Sequence, residues 1–360
     1  MKILFIVHRF HPNLFYPVKS LIQEGHEVQL IVPKNDKHNG LVEDHTLTEP
    51  IKVADNQLSI CLISKQLKQI KPNLIIQRHF QGKWKLFSIL GRLRGIKCVA
   101  YDQNPQKASS FSKQLLHFLK RLSKCEPVHK FTPVLNRGET GKYKEPFSTY
   151  IPFPIYPLIT TKQKTYRPDG TIRFLCVGKL GQTRKHHLLL LNALERININ
   201  CSLTYVGAGP EAFVNTDKEY FKALQERCKN SSLRGGVKIL MDLPYKDMLQ
   251  LYDNHDILVM PAEMESLGQC ILEGLASGCP VISSNDCGAS SYVRNNVNGF
   301  VFQKNNVDDL ADKIKFFTEN PQNIKKFGEN AIHMILDNHS PAKFAKAISV
   351  IARDKKQYHF

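Results

Sequence analysis

The sequence predicts an α/β protein built from two tandem domains, each with a parallel sheet. Three observations lead to this prediction. Strand-like and helical segments alternate from the first residues, which is the pattern of parallel strands joined by crossover helices. The chain has 360 residues, more than one hydrophobic core usually holds. The stretch 153–170, with three prolines and a polar centre, interrupts the alternation and is the expected linker, because a second α/β series follows it.

The first series contains short apolar runs that read as strands and longer amphipathic runs that read as helices. The predicted strands are KILFIV (2–7), EVQLIV (27–32), SICLI (59–63), NLIIQ (73–77), KCVAY (97–101) and KFTPV (130–134). The predicted helices are 14–25, 83–94 and 109–124. These elements make up an N-terminal Rossmann-like domain, residues 1–160.

The second series repeats the pattern, with most strands followed by a glycine or a polar turn and then a helix. The predicted strands are 172–177, 201–206, 237–240, 256–260, 280–284 and 299–302. Three helical segments follow residue 302 without an intervening strand. We therefore predict a second Rossmann-like domain at 161–336, with the terminal helices packed outside it.

Composition excludes several classes of protein. Apolar residues make up 42% of the chain and charged residues 23%, which is typical of a folded globular protein and not of a disordered one. No apolar run approaches the roughly 18 residues of a spanning helix. The 9 cysteines are scattered singly, without a CxxC pair or a metal-ligand spacing. We expect a cytoplasmic protein with reduced thiols and without a bound metal.

The net charge of +18 is concentrated in the first half of the chain. Residues 51–137 carry 17 Lys and Arg side chains against 3 Asp and Glu. Such an imbalance predicts an anionic partner: a membrane surface, a phosphorylated acceptor or a nucleic acid.

The segment ESLGQCILEGLAS contains two glutamates, Glu265 and Glu273, around a glycine. It follows the strand-like DILVM, so Glu265 is predicted on a loop at a strand's carboxyl end and Glu273 inside the next helix. Ligands of open parallel sheets bind at that edge. Gly268 permits close approach of a ligand to the backbone, and the amides of the first helical turn favour phosphate. An ionised Glu273 can accept hydrogen bonds from paired hydroxyls.

Two further turns follow strands of the same predicted sheet. In VGKLGQTRKHH, the glycines Gly178 and Gly181 alternate with basic residues suited to a pyrophosphate, namely Lys179, Arg184 and Lys185. In LTYVGAGPE, Gly207 and Gly209 leave room for a flat ring or a ribose. We expect the three turns to form one binding site.

These motifs resemble those of the retaining glycosyltransferases of family 4, which have the GT-B fold of two Rossmann-like domains facing a cleft. The similarity covers most of the chain and is strongest over 172–302, where the paired glutamates and the basic turn coincide with the family's motifs. The resemblance implies transfer of a sugar from a nucleoside diphosphate, UDP- or GDP-linked, to a glycan or lipid-linked acceptor in cell-surface polysaccharide assembly. It implies no further cofactor and no metal. It also implies a last helix at 337–360 that packs back on the first domain.

The resemblance also implies roles for individual residues. Glu273 would bind the ribose hydroxyls and Glu265 would face the sugar ring. The diphosphate would be held by Lys179 and by one of Arg184 and Lys185, between which the spacing does not decide. The backbone of Leu267, Gly268 and Gln269 would contact sugar or phosphate.

The acceptor is expected on the basic first domain. In VAYDQNP, where the family often has a histidine, this chain has Asp102 and Gln103, and with His8 these are the candidate acceptor-side residues. The segments 83–94 and 112–124 read as basic amphipathic helices, which are typical of surfaces that lie on anionic lipid. We therefore predict peripheral docking on the inner face of a membrane.

Two alternatives remain at this point. A hydrolase or epimerase of nucleotide sugars would share the fold and the donor site. A nucleic-acid-binding protein would use the aromatic and basic segment RHFQGKWKLF, but the sequence has no motif of that class and the charge is confined to one domain. We therefore expect no nucleic-acid partner.

Overall fold

The structure is a computed structural model that describes residues 1–8, 12–34, 47–103, 129–134, 148–156, 170–212 and 216–353. Its described residues form two parallel sheets with helices packed on them, as predicted. The predicted helix 109–124, most of the predicted linker 153–170 and the boundary at residue 160 lie outside the described residues. The boundaries drawn at 160 and 336 remain predictions.

The first sheet has seven described strands in the order β3-β2-β1-β4-β5-β6-β7, all parallel. They are β1 Lys2–Ile6, β2 Glu27–Pro33, β3 Ile51–Val53, β4 Leu74–Gln77, β5 Lys97–Tyr101, β6 His129–Thr132 and β7 Ser148–Tyr150. The chain runs outward in one direction from β1 to β3 and in the other from β4 to β7. The strand order therefore reverses between β1 and β4, where open α/β sheets usually bind ligands.

Three described helices cover this sheet: α1 Pro12–Gln23, α2 Ile60–Ile70 and α3 Leu86–Leu93. The prediction of a strand at 59–63 is wrong, because these residues begin α2. Ser59 caps the helix by accepting a hydrogen bond from the amide of Leu62 at 3.1 Å. Ile63 and Leu67, one helical turn apart, are buried against the sheet. The short β3 and β7 were not predicted from the sequence.

The second sheet has six described strands in the order β10-β9-β8-β11-β12-β13, also parallel. They are β8 Ile172–Val177, β9 Cys201–Gly207, β10 Val237–Met241, β11 Ile257–Met260, β12 Val281–Ser284 and β13 Gly299–Phe302. All six predicted strands of this domain are confirmed. Here the strand order reverses between β8 and β11, which are the strands that precede the basic turn and Glu265.

The described helices of the second domain lie on both faces of its sheet. They are α4 His187–Ile197, α5 Lys218–Lys229, α6 Tyr245–Asn254, α7 Gln269–Ala276, α8 Val307–Glu319 and α9 Gln322–Asn338. One hydrophobic cluster joins the strands to α4, α5, α8 and the start of α9. A second cluster joins them to α6, α7 and the rest of α9, and it also contains Tyr16 of α1.

The last described helix, α10 Pro341–Arg353, packs on the first domain. Its buried residues Phe344, Ala345 and Ile348 complete the hydrophobic cluster formed by α1 and the first sheet. The three predicted terminal helices are thus confirmed as helices. No helix among the described residues has the length and apolar character needed to cross a membrane.

The two described segments that pass between the domains lie side by side. The amide of Ile155 donates to the carbonyl oxygen of His339 at 3.0 Å, and the His339 imidazole Nδ1 donates to the carbonyl oxygen of Phe153 at 2.7 Å. His339 is buried, and its ring meets Tyr292 edge to face. One histidine therefore fastens the outgoing segment to the returning one.

Candidate active site

Two basic side chains converge on Glu265 at the reversal point of the second sheet. Lys185 Nζ lies 2.5 Å and Arg184 Nη1 lies 3.2 Å from the same oxygen, Oε2, of Glu265. Arg184 also donates to the carbonyl oxygen of Met264 at 2.6 Å. The structure thus brings together the basic turn and the first glutamate, as predicted from their positions after β8 and β11.

The local backbone holds each partner in place. The backbone of Glu265 is hydrogen-bonded to the segment after β12. Its amide donates to the carbonyl oxygen of Asp286 at 3.2 Å, and its carbonyl oxygen accepts from the amide of Gly288 at 3.0 Å. Lys185 ends a short 3₁₀ turn, and its stem runs along the backbone of Gly178. A Cβ at Gly178 would lie 3.3 Å from the Lys185 Cδ, so glycine leaves space for this stem.

Glu265 is held in its ionised form. Burial alone would raise its pKa, but the charges and hydrogen bonds of Lys185 and Arg184 outweigh burial and hold the pKa of Glu265 below its usual range. Lys185 is buried with a side chain 9% exposed, whereas the Arg184 side chain is 38% exposed. The site therefore contains a buried ion pair with one further cation at its rim.

The glycines of the turns after β8 and β9 make close contacts within the second domain. A Cβ at Gly207 would collide with the carbonyl oxygen of Gly178, so the turns after β8 and β9 touch through their backbones. Gly209 donates its amide to Asp242 at 3.1 Å, and Gly181 accepts at its carbonyl oxygen from the amide of Asp217 at 2.7 Å. Lys179 lies between the touching turns and is partly exposed.

The start of α7 faces the same edge. Gly268 has a φ of 76°, a left-handed conformation that favours glycine, and it caps α7. A Cβ there would also lie 3.3 Å from Cγ of Glu265. Leu267 is buried and Gln269 is partly exposed. The amides of this first turn lack intrahelical acceptors and form a positive pole beside Glu265.

Glu273, inside α7, is buried with only 6% of its surface exposed. The hydroxyl of Tyr252 donates to Oε2 at 2.7 Å. The hydroxyl of Tyr245 and the side-chain Nε2 of Gln269 donate to Oε1 at 3.1 and 2.8 Å. Burial raises the pKa of Glu273 above its usual value, and these hydrogen bonds oppose the rise. Glu273 is therefore an interior carboxylate with partners of its own.

A tyrosine from the first domain reaches this cluster. The hydroxyl of Tyr16, on α1, is hydrogen-bonded to the hydroxyl of Tyr245. Tyr16 is 3% exposed and packs against Phe153 and Tyr156 at the interdomain segment. Burial, followed by the nearby charge of Glu273, raises the pKa of both Tyr16 and Tyr245, so both hydroxyls stay protonated.

The candidate acceptor-side residues lie on the corresponding edge of the first sheet. His8 follows β1 and is exposed. Its ring lies against the ring of His79, with 3.6 Å between centroids and an interplanar angle of 41°. His79 follows β4 and also contacts Trp84. His79 is 4% exposed, and its Nδ1 has no hydrogen-bond partner among the described residues. Burial, together with the neighbouring His8, lowers the pKa of His79 to about 4.

Gln103 and Asp102, which follow β5, differ in their environments. Gln103 is buried and accepts hydrogen bonds from Arg78 at 2.7 Å and from Asn13 at 3.0 Å. Asp102 is partly exposed and forms an ion pair of 3.6 Å with Lys130. The three candidates thus lie along one edge of the sheet. His8 follows β1, at the point where the strand order reverses, and Asp102 and Gln103 follow β5, the strand next to β4.

Several side chains that build the two edges were not predicted from the sequence. Tyr245 and Tyr252 are seven residues apart in YKDMLQLYDN, so they share a helix face, and this spacing was the available signal. Arg78 and His79 follow the strand LIIQ directly, a position that also pointed to the sheet edge. Tyr16 had no comparable signal, because its role depends on contact between the two domains.

Comparison with known proteins relates the chain to glycosyltransferases. Residues 159–334 match the family model described as Glycosyl transferases group 1. A 142-residue segment is 26% identical to an uncharacterised glycosyltransferase of Methanocaldococcus jannaschii, covering 39% of this chain and 37% of that protein. The chain therefore spans little more than a third of the length of this curated relative.

The fold is similar to solved structures over nearly its whole length. A glycosyltransferase from Rickettsia africae matches with a TM-score of 0.73 and 19% identity, covering 98% of this chain and 97% of that one. HepE from Anabaena, solved in complex with UDP and glucose, matches with a TM-score of 0.72 and 17% identity, covering 97% and 98%. The α/β fold with two Rossmann-like domains is that of the GT-B glycosyltransferases.

Proposed function

Since residues 159–334 match the group 1 glycosyltransferase model and the chain has the GT-B fold, we propose that this protein transfers a sugar from a nucleoside-diphosphate sugar to an acceptor. The observation that carries the proposal is the cluster of Lys185, Arg184 and Glu265 at the reversal point of the second sheet. A phosphorylated ligand at that point would meet two cations and the start of a helix.

The basic turn stabilises the leaving group in this proposal. Negative charge develops on the diphosphate as the glycosidic bond breaks, and fixed cations lower the energy of that state. Arg184 suits this role because its guanidinium is partly exposed at the rim and can form two parallel hydrogen bonds with phosphate. Lys185 is shared between Glu265 and the diphosphate, and Lys179 adds a third charge. The reaction then needs no metal ion as the electrophile.

Glu265 lies beside the place where the sugar would sit. Its ionised carboxylate can accept hydrogen bonds from sugar hydroxyls and favour the positive charge that forms at the anomeric carbon. In a retaining reaction the acceptor oxygen attacks on the face that the diphosphate leaves. Glu273, further along α7, would accept the ribose hydroxyls. A UDP-linked or GDP-linked donor fits this arrangement, and the Anabaena neighbour was solved with UDP.

The first domain would supply the acceptor site. His8, Asp102, Arg78 and His79 lie at the edge of its sheet, and hydroxyl-rich acceptors are recognised by such mixed donors and acceptors. We propose a glycan or lipid-linked acceptor in cell-surface polysaccharide assembly.

An anionic membrane surface is the proposed docking partner of this domain. The exposed lysines Lys65 and Lys68 lie on α2, and Lys83 and Lys85 lie just before α3. The two helices are neighbours, and Arg94 donates a hydrogen bond of 2.7 Å to Ser64. The exposed apolar side chains Ile60 and Leu93 lie on the same two helices. Lysines around exposed apolar groups are suited to a lipid headgroup layer.

The proposed activity is tested with a panel of UDP-, GDP- and ADP-sugars. One of them should raise the stability of the protein, by about 2.7 kcal/mol at a hundredfold excess over its Kd. Arg184→Ala should lower the rate of nucleotide release by orders of magnitude. The control is Arg196→Ala, which removes an exposed arginine paired with Asp308 on the surface. Nucleotide release that does not require an acceptor, or an epimerised sugar product, would instead support the hydrolase or epimerase.

A further inference from the structure

The carboxylate of Glu273 is already occupied by protein donors. Tyr252 donates to one oxygen, and Tyr245 and Gln269 donate to the other. Tyr16 lies beside them, within hydrogen-bonding reach of the same carboxylate, and seals the cluster from the first domain. A ribose that binds Glu273 must therefore take over hydrogen bonds that the protein now makes, because a buried carboxylate has few remaining acceptor sites.

The three direct donors differ in their freedom to leave. Tyr252 is fully buried near the end of α6, so its departure would open a cavity in the core. Gln269 lies one turn before Glu273 in the same helix and moves with it. Tyr245 is the first residue of α6, follows the turn after β10 and is partly exposed. Tyr245 is thus the donor that can yield its position.

The hydroxyls of the two tyrosines and the carboxylate of Glu273 form one group. Tyr245 donates to Glu273 and is hydrogen-bonded to the Tyr16 hydroxyl, which itself lies within hydrogen-bonding reach of Glu273. The result is a chain from Tyr16 through Tyr245 to Glu273 that joins α1 of the first domain to α7 of the second. Displacing the Tyr245 hydroxyl breaks both of its bonds.

We propose that the ribose of a nucleoside diphosphate displaces the Tyr245 hydroxyl from Glu273 and thereby releases Tyr16, so that Tyr16 and Tyr245 form an interdomain latch that competes with the donor. Tyr252 is the positioning residue that keeps Glu273 in place during this exchange. The inference rests on the proposed ribose role of Glu273.

The exchange favours a ribonucleotide over a 2′-deoxyribonucleotide. The two ribose hydroxyls can replace the lost tyrosine donor and add another, whereas a 2′-deoxyribose offers one hydroxyl for the one that it displaces. Leaving a buried carboxylate short of donors is costly. The latch therefore lowers the affinity for every nucleotide, and the 2′-hydroxyl of a ribonucleotide restores part of that affinity.

The test measures the Kd of UDP and GDP, and of dUDP and dGDP, by titration calorimetry. Tyr245→Phe should tighten binding of the preferred ribonucleotide about tenfold, because the ribose then replaces no protein donor at Glu273. Tyr16→Phe should tighten it about threefold, since the latch loses the Tyr16 hydroxyl but keeps the bond from Tyr245 to Glu273. Tyr252→Phe should weaken binding of the ribonucleotide. It should also lower the preference for ribose, measured as the ratio of the Kd of dUDP to that of UDP, or of dGDP to that of GDP. Tyr156→Phe, which loses a hydroxyl bonded to Gln23, is the control.

The outcomes separate the latch from the ribose assignment. If Glu273→Gln reduces the preference for ribose but Tyr245→Phe and Tyr16→Phe bind no more tightly than the wild type, the latch is refuted and the ribose role stands. If Glu273→Gln leaves that preference unchanged, the ribose role fails and the latch fails with it. Tyr16→Phe keeps the Tyr245 side chain intact, so it tests the latch even where Tyr245→Phe unfolds.

Discussion

Lys185 Nζ lies 2.5 Å from Oε2 of Glu265, and neither side chain is more than 18% exposed. The sequence alone could not distinguish Lys185 from Arg184 as the diphosphate ligand, because the two are adjacent in one basic turn. The structure shows them in different environments, since Arg184 approaches the same oxygen from the exposed rim. Their substitutions should therefore have different consequences.

We expect Lys185→Met to reduce both stability and activity. It would leave Glu265 as a buried carboxylate without its closest cation, which should destabilise the protein by roughly 3 kcal/mol. Arg184→Met, the matched control, should change stability by less than about 1 kcal/mol while still slowing nucleotide release. Urea unfolding measures the first effect and the rate of nucleotide release the second. Equal stability losses in both variants would contradict the different roles.

We expect Gly207→Ala to disrupt the donor site through the backbone. The added methyl group would collide with the carbonyl oxygen of Gly178, so the turns after β8 and β9 must separate. Gly209→Ala is the control, because its Cβ would meet the Asp242 carboxylate at 3.1 Å and that side chain can move. Thermal unfolding should show a large loss for Gly207→Ala and a small one for Gly209→Ala. A Gly207→Ala protein as stable as the wild type would show that the turns are not in close contact.

We expect stability to fall below pH 6.5 in part because of His339. Burial lowers its pKa from 6.5 to about 4, so between these values the unfolded chain binds a proton that the folded chain does not. The loss from this residue between pH 7 and pH 5 should be about 2 kcal/mol. His339→Gln should reduce the pH dependence of urea unfolding by that amount. The control is His333→Gln, which replaces an exposed histidine on α9. A pH dependence of urea unfolding that is unchanged in His339→Gln would contradict the expectation.

We expect the protein to bind vesicles that contain phosphatidylglycerol and not vesicles of phosphatidylcholine alone. Each basic side chain near an anionic leaflet contributes about 1 kcal/mol. Reversing the charge of Lys65, Lys68, Lys83 and Lys85 should therefore abolish cosedimentation. The control reverses four exposed lysines of the second domain, Lys222, Lys229, Lys238 and Lys246. Binding that is equal for both vesicle types at low salt would exclude this surface as the docking site.

The sequence predicted the second domain better than the first. Its strands are bounded by glycines and polar turns, and most of them precede a helix with clear periodicity. In the first domain the apolar run SICLI suggested a strand, because a short run does not distinguish a strand from one turn of a helix. The distinguishing features were the Ser59 cap and the later burial of Leu67 on the same face.

The site was predicted only as far as local sequence determines it. The positions of Glu265, Lys185 and Gly178 after neighbouring strands were enough to bring them to one edge of the sheet. The surroundings of Glu273 were only partly predictable. The spacing of Tyr245 and Tyr252 places both on one face of α6, but Tyr16 comes from α1, more than 200 residues away in the chain. Side chains that meet across a domain boundary leave no periodic signal in either segment.

The return of α10 to the first domain also affects the order in which the chain can fold during synthesis. The described strands of the first sheet end at Tyr150, yet its hydrophobic cluster needs Phe344, Ala345 and Ile348. The second sheet and its helices are made before these residues leave the ribosome. The apolar face of α1 that α10 covers therefore stays open to solvent while the whole second domain is translated, and this interval is when a chaperone or an aggregating neighbour has access to it.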